Sequence, residues 1–159
     1  MPDIEQLLHT LPLFSGLNPQ DLDLLANLFR LDNYPVGATI FAQGDRATRL
    51  YVLTGGRVEI RFKPHDGETL IVAAIEDGGV FGWSAALRRK EYTSCAVCVE
   101  DSQALHTEGN QLRRLIKEHP NTGIVLLDRL AAVIAERLSN THAQVKTLLT
   151  NGMRTELDR

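Results

Sequence analysis

Between residues 81 and 95 the chain reads FGWSAALRRKEYTSC, and the groups in this stretch are those that an anion needs. Gly82 lets the backbone approach a bound group closely. Trp83-Ser84-Ala85-Ala86-Leu87 is helix-prone, and the first N–H groups of a helix make an anion site. Thr93 and Ser94 add hydroxyl donors at the start of a returning strand. Together these residues predict a cup for a phosphate-sized anion, set between strands. Arg88, Arg89 and Lys90 have two readings: cations on the lip of the cup, or solvated charges on a loop.

Other chemistry finds less support. His9, His65, His106, His119 and His142 are scattered, with no HExxH or related ligand spacing. Ser84 lies in no GxSxG elbow, and neither a P-loop nor a dinucleotide-binding glycine pattern occurs. Glu59, Asp66 and Glu68 read as solvated acids on strands or turns. No feature asks for catalysis, so a non-enzymatic protein is expected. The only cysteines, Cys95 and Cys98, stand three apart in a strand, where side chains alternate between faces, so they are not expected to bond each other. They read either as small buried residues in a reducing compartment or as a redox or metal pair.

The elements that must hold the cup follow from hydrophobic periodicity. NPQDLDLLANLF opens with Asn18 as N-cap and Pro19 at the first helical position, and Leu22, Leu25, Leu28 and Phe29 form one apolar stripe. From Tyr34 the period changes to two. Short β-branched or aromatic runs alternate with turns at Gly37, Gly44-Asp45, Gly55-Gly56, Asp66-Gly67 and Gly78-Gly79, the rhythm of an all-β sandwich or barrel. After Thr107 helical periodicity returns, with a short helix ended by Pro120 and a long one from Asn121 to about Thr150. Leu127, Ile134, Thr141 and Leu148 fall at one heptad position and Ala131, Leu138 and Val145 at another, which predicts a homodimer seam. Residues 151–159 are expected to fray.

These elements make one domain over 1–159, with helices in 1–33, strands in 34–107, helices in 108–150 and a tail. A net charge of -3 gives no global reason to bind nucleic acid, whose affinity rests on phosphate neutralisation. No run approaches the roughly 20 apolar residues that span a bilayer. The acidic start MPDIEQLLHT lacks the cations of a signal peptide. A soluble, cytoplasmic protein without a membrane partner is expected.

The order of N-terminal helices, YPVGATIFAQGD, RLYVLTGGRVEI, the Gly82 turn and a long terminal helix resembles the cyclic-nucleotide-binding domain of the Crp/Fnr regulators, over about residues 10–150. The Gly44-Asp45 and Gly55-Gly56 turns, with LYVL between them, carry most of that resemblance. It implies a mainly β fold: a double-stranded β-helix, or jelly-roll-like β-roll, with flanking helices and a dimer along the last one. It also makes the stretch 81–95 the phosphate-binding cassette. Gly82 then matches the cassette glycine and Ser94 the serine that contacts the cyclic phosphate. Trp83 stands where cyclic-AMP-binding members carry a ribose-binding Glu, and Thr93 where they carry a phosphate-pairing Arg. ERLSNTH resembles the helix segment that reaches the purine, with Arg137 and Thr141 at the base-contacting positions.

Loss of a charge-assisted phosphate contact removes roughly 1.5–3 kcal/mol, a tenfold to hundredfold weakening. The nine residues after Thr150 are too few for the helix-turn-helix of Crp/Fnr activators, so no direct DNA binding is expected of this chain. The resemblance implies a sensor module whose effector is a small anion, cyclic AMP or cyclic GMP or a relative, with no other cofactor. Gly82, Trp83, Ser84, Ala85, Thr93, Ser94 and Cys95 would line the cup, and Arg137 and Thr141 would close it. Two other readings stay open: a degenerate scaffold in which Trp83 plugs the cup, and a haem or redox sensor using Cys95, Cys98 or a histidine.

Overall fold

In the computed structural model, which describes residues 3–157 and, on the last helix, side chains through 139 and at 146, 147, 149 and 150, local signals start the fold. Asp3 caps α1 (Ile4–Thr10), its carboxylate accepting from the Glu5 N–H. Asn18 caps α2 (Pro19–Ala26) by accepting from the Asp21 N–H at 2.8 Å, with Pro19 in the first turn. Such caps satisfy donors that the helix itself leaves unpaired. Leu8, Leu22, Leu25 and Phe29 are then buried against a 3-10 turn at Pro12–Phe14, where Phe14 meets Phe29 edge-on.

Eight strands follow: β1 (Arg30–Tyr34), β2 (Thr39–Phe41), β3 (Arg49–Gly55), β4 (Val58–Phe62), β5 (Leu70–Ile75), β6 (Val80–Phe81), β7 (Cys95–Cys98) and β8 (Ser102–Glu108). They form two antiparallel sheets in the orders β1-β8-β3-β6 and β2-β7-β4-β5. The first sheet is the middle layer of the molecule. Leu50 and Val52 of β3 face the helices, while Tyr51 and Leu53 face the second sheet, so four consecutive residues are buried. The second sheet buries one face only, and β4 and β7 alternate accordingly. Cys95 and Cys98 therefore lie on opposite faces of β7, both as free thiols.

The first strand begins at Arg30, inside the region assigned to helices from the sequence. RLDNY carries no alternating apolar pattern because β1 is an edge strand, paired only with β8 and half-exposed along its length. Leu31 and Tyr34 pack against the two cores, and the exposed Asp32 carboxylate lies 2.6 Å from Nε2 of the buried His106.

Two helices close the chain, α3 (Gly109–Glu118) and α4 (Pro120–Leu157). The second runs beyond the expected end near Thr150, so residues 151–157 are helical and no frayed tail begins at 151. Met, Arg, Glu and Leu favour helix there, and Gly152 costs only about 1 kcal/mol. Leu126 and Leu130 of α4 are buried with Val133 and Ile134 packed beside them, whereas Ile124, Leu127, Ala131 and Leu138 are exposed. Ile134, one turn after Leu130, is partly buried and packs against the chain's own core. The side chains of Thr141, Val145 and Leu148 lie outside the described residues. No described helix is long and apolar enough to cross a membrane.

The Gly55-Gly56 turn supplies a test of this packing. Gly56 has φ +93°, and a Cβ there would meet the Ser102 Oγ at 2.3 Å and the Asp101 carbonyl at 2.5 Å. Gly56→Ala should lower unfolding free energy by about 2–5 kcal/mol through left-handed strain and overpacking, measured by urea denaturation. Gly55→Ala, into open space, should change it by less than about 0.5 kcal/mol.

Candidate functional site

A cavity of about 350 Å³ opens between the sheets where α4 crosses the turn after β6. Gly82 sets its back wall. Its φ is +72°, and a Cβ would stand 2.9 Å from Cδ2 of Tyr51 and 3.1 Å from the Arg49 carbonyl oxygen. Only glycine fits both the conformation and the space. The segment after it is a series of turns rather than the expected short helix. The Leu87 N–H donates to the Trp83 carbonyl at 3.0 Å and the Arg89 N–H to the Ser84 carbonyl at 3.0 Å, and no regular ladder follows. Arg88, at φ +59°, breaks it.

The turn is held at both ends. Arg113 of α3 donates from Nη1 to the Ala85 carbonyl at 3.0 Å. The Ala47 N–H donates to the Lys90 carbonyl at 2.9 Å, and the Tyr92 N–H to the Asp45 carbonyl at 2.9 Å.

Aromatic rings make the floor. Phe41 and Tyr92 stack with centroids 3.8 Å apart, and Tyr51 and Phe81 stack at 5.0 Å. The Tyr92 hydroxyl donates to the Arg49 carbonyl at 2.6 Å and accepts from the Arg49 N–H at 3.0 Å, so the ring alone faces the cavity. Ser84, buried, and Ser94, half-buried, bring hydroxyls to the wall, with exposed Thr93 beside them.

Arg137 reaches in from α4. Its guanidinium carbon lies 4.6 Å from the centroid of the Trp83 ring, a cation–π contact, and Nη2 donates to the Val80 carbonyl. Burial lowers its pKa to about 10, which leaves it a cation at neutral pH. It is the one positive charge among the described lining residues.

The cavity therefore gathers Gly82, Trp83, Ser84, Thr93, Ser94 and Arg137 from the candidate residues. Ala85 is 2 % exposed and turned to α3, outside the lining. Cys95 also stands outside it, its Sγ accepting from the Gln43 N–H at 3.2 Å. Thr141 has a side chain outside the described residues. Arg88, Arg89 and Lys90 do not form the lip of this cavity: the left-handed Arg88 swings them to a separate hollow shared with Arg46 and Arg113.

Phe41, Ile60, Phe62, Val72, Phe81 and Tyr92 complete the wall and were absent from the sequence reading. Phe41, Ile60, Phe62 and Val72 come from β2, β4 and β5, far from the Gly82 turn in sequence, so no local spacing marks them, whereas Phe81 and Tyr92 flank Gly82 and Thr93. Leu138, assigned from the sequence to the dimer seam, stands at the cavity's α4 side.

With this geometry in place, comparison with known proteins is decisive. The family model for the cyclic nucleotide-binding domain matches residues 31–119, more than half of the chain. The chain belongs to that family. It is 33% identical over 138 residues to the "Cyclic AMP receptor protein" of Thermus thermophilus, covering 86% of this chain and 62% of that relative. It is 25% identical over 146 residues to a "CRP-like cAMP-activated global transcriptional regulator" of Mycobacterium tuberculosis, covering 92% and 63%. The chain thus spans somewhat under two thirds of the length of these relatives.

Among solved structures, the Thermus thermophilus catabolite activator protein superposes with a TM-score of 0.72 at 32% identity, covering 86% of this chain and 62% of that one. The sensor domain of the transcriptional regulator DNR from Pseudomonas aeruginosa superposes with a TM-score of 0.68 at 26% identity, covering 85% and 91%. The Crp/Fnr resemblance and the jelly-roll-like β-roll with a long terminal helix are both upheld.

The buried rings make the site sensitive to alkali. Burial raises the pKa of Tyr51 and Tyr92, and that of Tyr34 to about 12 with Asp32 adding to the effect. A raised tyrosine pKa means that the unfolded chain loses its proton first. Its stability contribution is complete below the ordinary value of 10.0 and is lost as pH rises toward the folded value, by up to about 1.4 kcal/mol per pH unit per tyrosine. Arg137 acts in the opposite sense above about pH 10. Tyr92→Phe removes one tyrosine and leaves Arg137, so urea midpoints measured from pH 8 to 11 (values chosen around the tyrosine range of about 10) should fall less steeply in the variant.

Proposed function

We propose that this chain is a non-enzymatic sensor module. A small anionic effector binds in the cavity between the β-roll and α4, and its occupancy is passed on through α4 in a homodimer. The observation that carries this reading is the placement of Arg137 and Leu138: one turn of α4 supplies both the cavity's positive charge and part of its wall. An occupant therefore touches the roll and the helix together. It shifts their relative arrangement by the difference in its affinity for the two states. Ile124, Leu127 and Ala131 leave exposed apolar positions on the same helix, at spacings that suit a second copy.

The other two readings have less behind them. A plugging Trp83 would leave no room, yet its ring lies against Arg137 beside about 350 Å³ of space. A haem or redox role has no His or Cys among the described lining residues of this cavity to support it.

Cyclic AMP and cyclic GMP are the first effectors to test, given the family and the Thermus relative's name. In calorimetric titration of protein freed of bound small molecules, saturable binding of either should weaken at least tenfold in Ser94→Ala or Arg137→Gln, about the value of one hydrogen bond to a charged group. An absence of saturation for both nucleotides and for other small anions would remove the sensor reading. Sedimentation equilibrium should show a dimer for the unaltered chain and a monomer for Leu127→Glu with Ala131→Glu, with helical content unchanged.

A further inference from the structure

A second hollow, of about 580 Å³, lies against the start of α3 and draws on the same loop as the cavity. Arg46, Arg88, Arg89, Lys90 and Arg113 bring five cations to it. Its one carboxylate, Glu108, is engaged by Arg49 Nε at 3.1 Å. None of the five cations forms an ion pair among the described residues, and the groups that Arg113 holds, the Ala85 carbonyl and the Asn110 side chain, are neutral. The whole chain carries a net charge of -3, so this concentration runs against the charge of the molecule. Like charges gathered in one concavity repel each other until an anion joins them.

The backbone is held in a way that gathers them. Arg88, at φ +59°, is the one non-glycine residue with a left-handed backbone among those described. Glycine or asparagine adopts that conformation more easily. The loop is fixed on both sides of it, by the Arg89 N–H on the Ser84 carbonyl and the Ala47 N–H on the Lys90 carbonyl. Arg46 is joined to the same loop through its bridge to Glu91. Strained residues persist where their surroundings over-determine them, and they cluster at functional positions. Here the strain directs three consecutive cations into one hollow.

Carboxylates and phosphates both suit guanidinium groups, and two features favour a protein segment over nucleic acid. Leu87, beside Arg88, is 54 % exposed. An apolar group next to charged ones suits a partner's side chains, and a phosphodiester backbone offers it nothing to meet. A long polyanion would also run past the hollow onto a molecule of net negative charge, a repulsion that a short segment avoids.

We propose that this hollow docks a short acidic segment of a partner protein, its carboxylates pairing with Arg46, Arg88, Arg89 and Lys90 and an apolar side chain covering Leu87. Each exposed pair is weak alone, and several converging on one segment act as a network. The site does not depend on what fills the cavity.

The probe is a fluorescein-labelled peptide of glutamate and aspartate around a single leucine, followed by fluorescence anisotropy at fixed ionic strength. Unlabelled competitors are its glutamine and asparagine counterpart, polythymidylate, and inorganic tripolyphosphate. The acidic peptide should bind saturably and at least about tenfold more tightly than any competitor. Converting Arg88, Arg89 and Lys90 together to Gln should weaken it about tenfold, the combined worth of three exposed pairs. The same charge removed outside the hollow, by Arg30→Gln, Arg114→Gln and Lys117→Gln at exposed positions, should weaken it less than about twofold. Arg88→Gly relieves the left-handed conformation, so its weaker binding would not reflect a damaged fold.

Equal losses in the two triple variants would reduce the binding to general charge and overturn the proposal. Tighter binding of polythymidylate would make the hollow a nucleic-acid surface, and tighter binding of tripolyphosphate a small-anion site; either result overturns it, as does failure of the acidic peptide to bind. Each of these outcomes leaves the sensor reading in place.

Discussion

The stacked rings of Phe41, Tyr51, Phe81 and Tyr92 belong to the core between the sheets, and Phe41, Phe81 and Tyr92 border the cavity at the same time. Tyr51 and Phe81 are register partners on neighbouring strands of the first sheet, and Phe41 begins the link to the second. Their contact fixes how closely Gly82 must approach Tyr51, and that approach fixes where the following turn runs. The Tyr92 hydroxyl, by closing both Arg49 backbone groups, ties the far end of that turn to β3. Packing and site geometry therefore cannot be altered separately. A truncation of any of these rings would open the core as well as enlarge the cavity.

The middle position of the first sheet explains a second feature. A strand with helices on one side and a sheet on the other is buried on both faces, and β3 reads as a continuous apolar run for that reason. The second sheet has solvent on its outer face and alternates. Such a layered arrangement lets α4 lie against the first sheet through Leu126 and Leu130 and still bring Arg137 to the cavity. It takes just under two turns of helix to pass from one task to the other.

What was legible in the sequence was local. Asn18 and Pro19 announce α2 because capping is a short-range hydrogen-bond problem, and Gly82 announces a close approach because no other residue tolerates one. The β-roll and its family were legible through the order of turns. The first strand was not, since an edge strand with polar exposure has no period to detect. Nor was the aromatic wall, whose members are brought together only by strand pairing across more than fifty positions, as with Phe41 and Tyr92. Arg88, Arg89 and Lys90 were ambiguous because the backbone sign of one residue decides which hollow they enter.

The cavity's cation has an origin that matters for signalling on the proposed reading. By the resemblance, Thr93 stands where cyclic-AMP-binding members carry an arginine on the roll, and among the described lining residues the positive charge comes from α4 through Arg137. An anion held by the roll alone would bind both arrangements of the helix nearly equally, and equal affinity shifts no equilibrium. An anion held by the helix binds only where the helix is near. The free energy of that contact is then differential by construction, and it acts on the turn that carries Leu138 and adjoins the exposed stripe at Leu127 and Ala131.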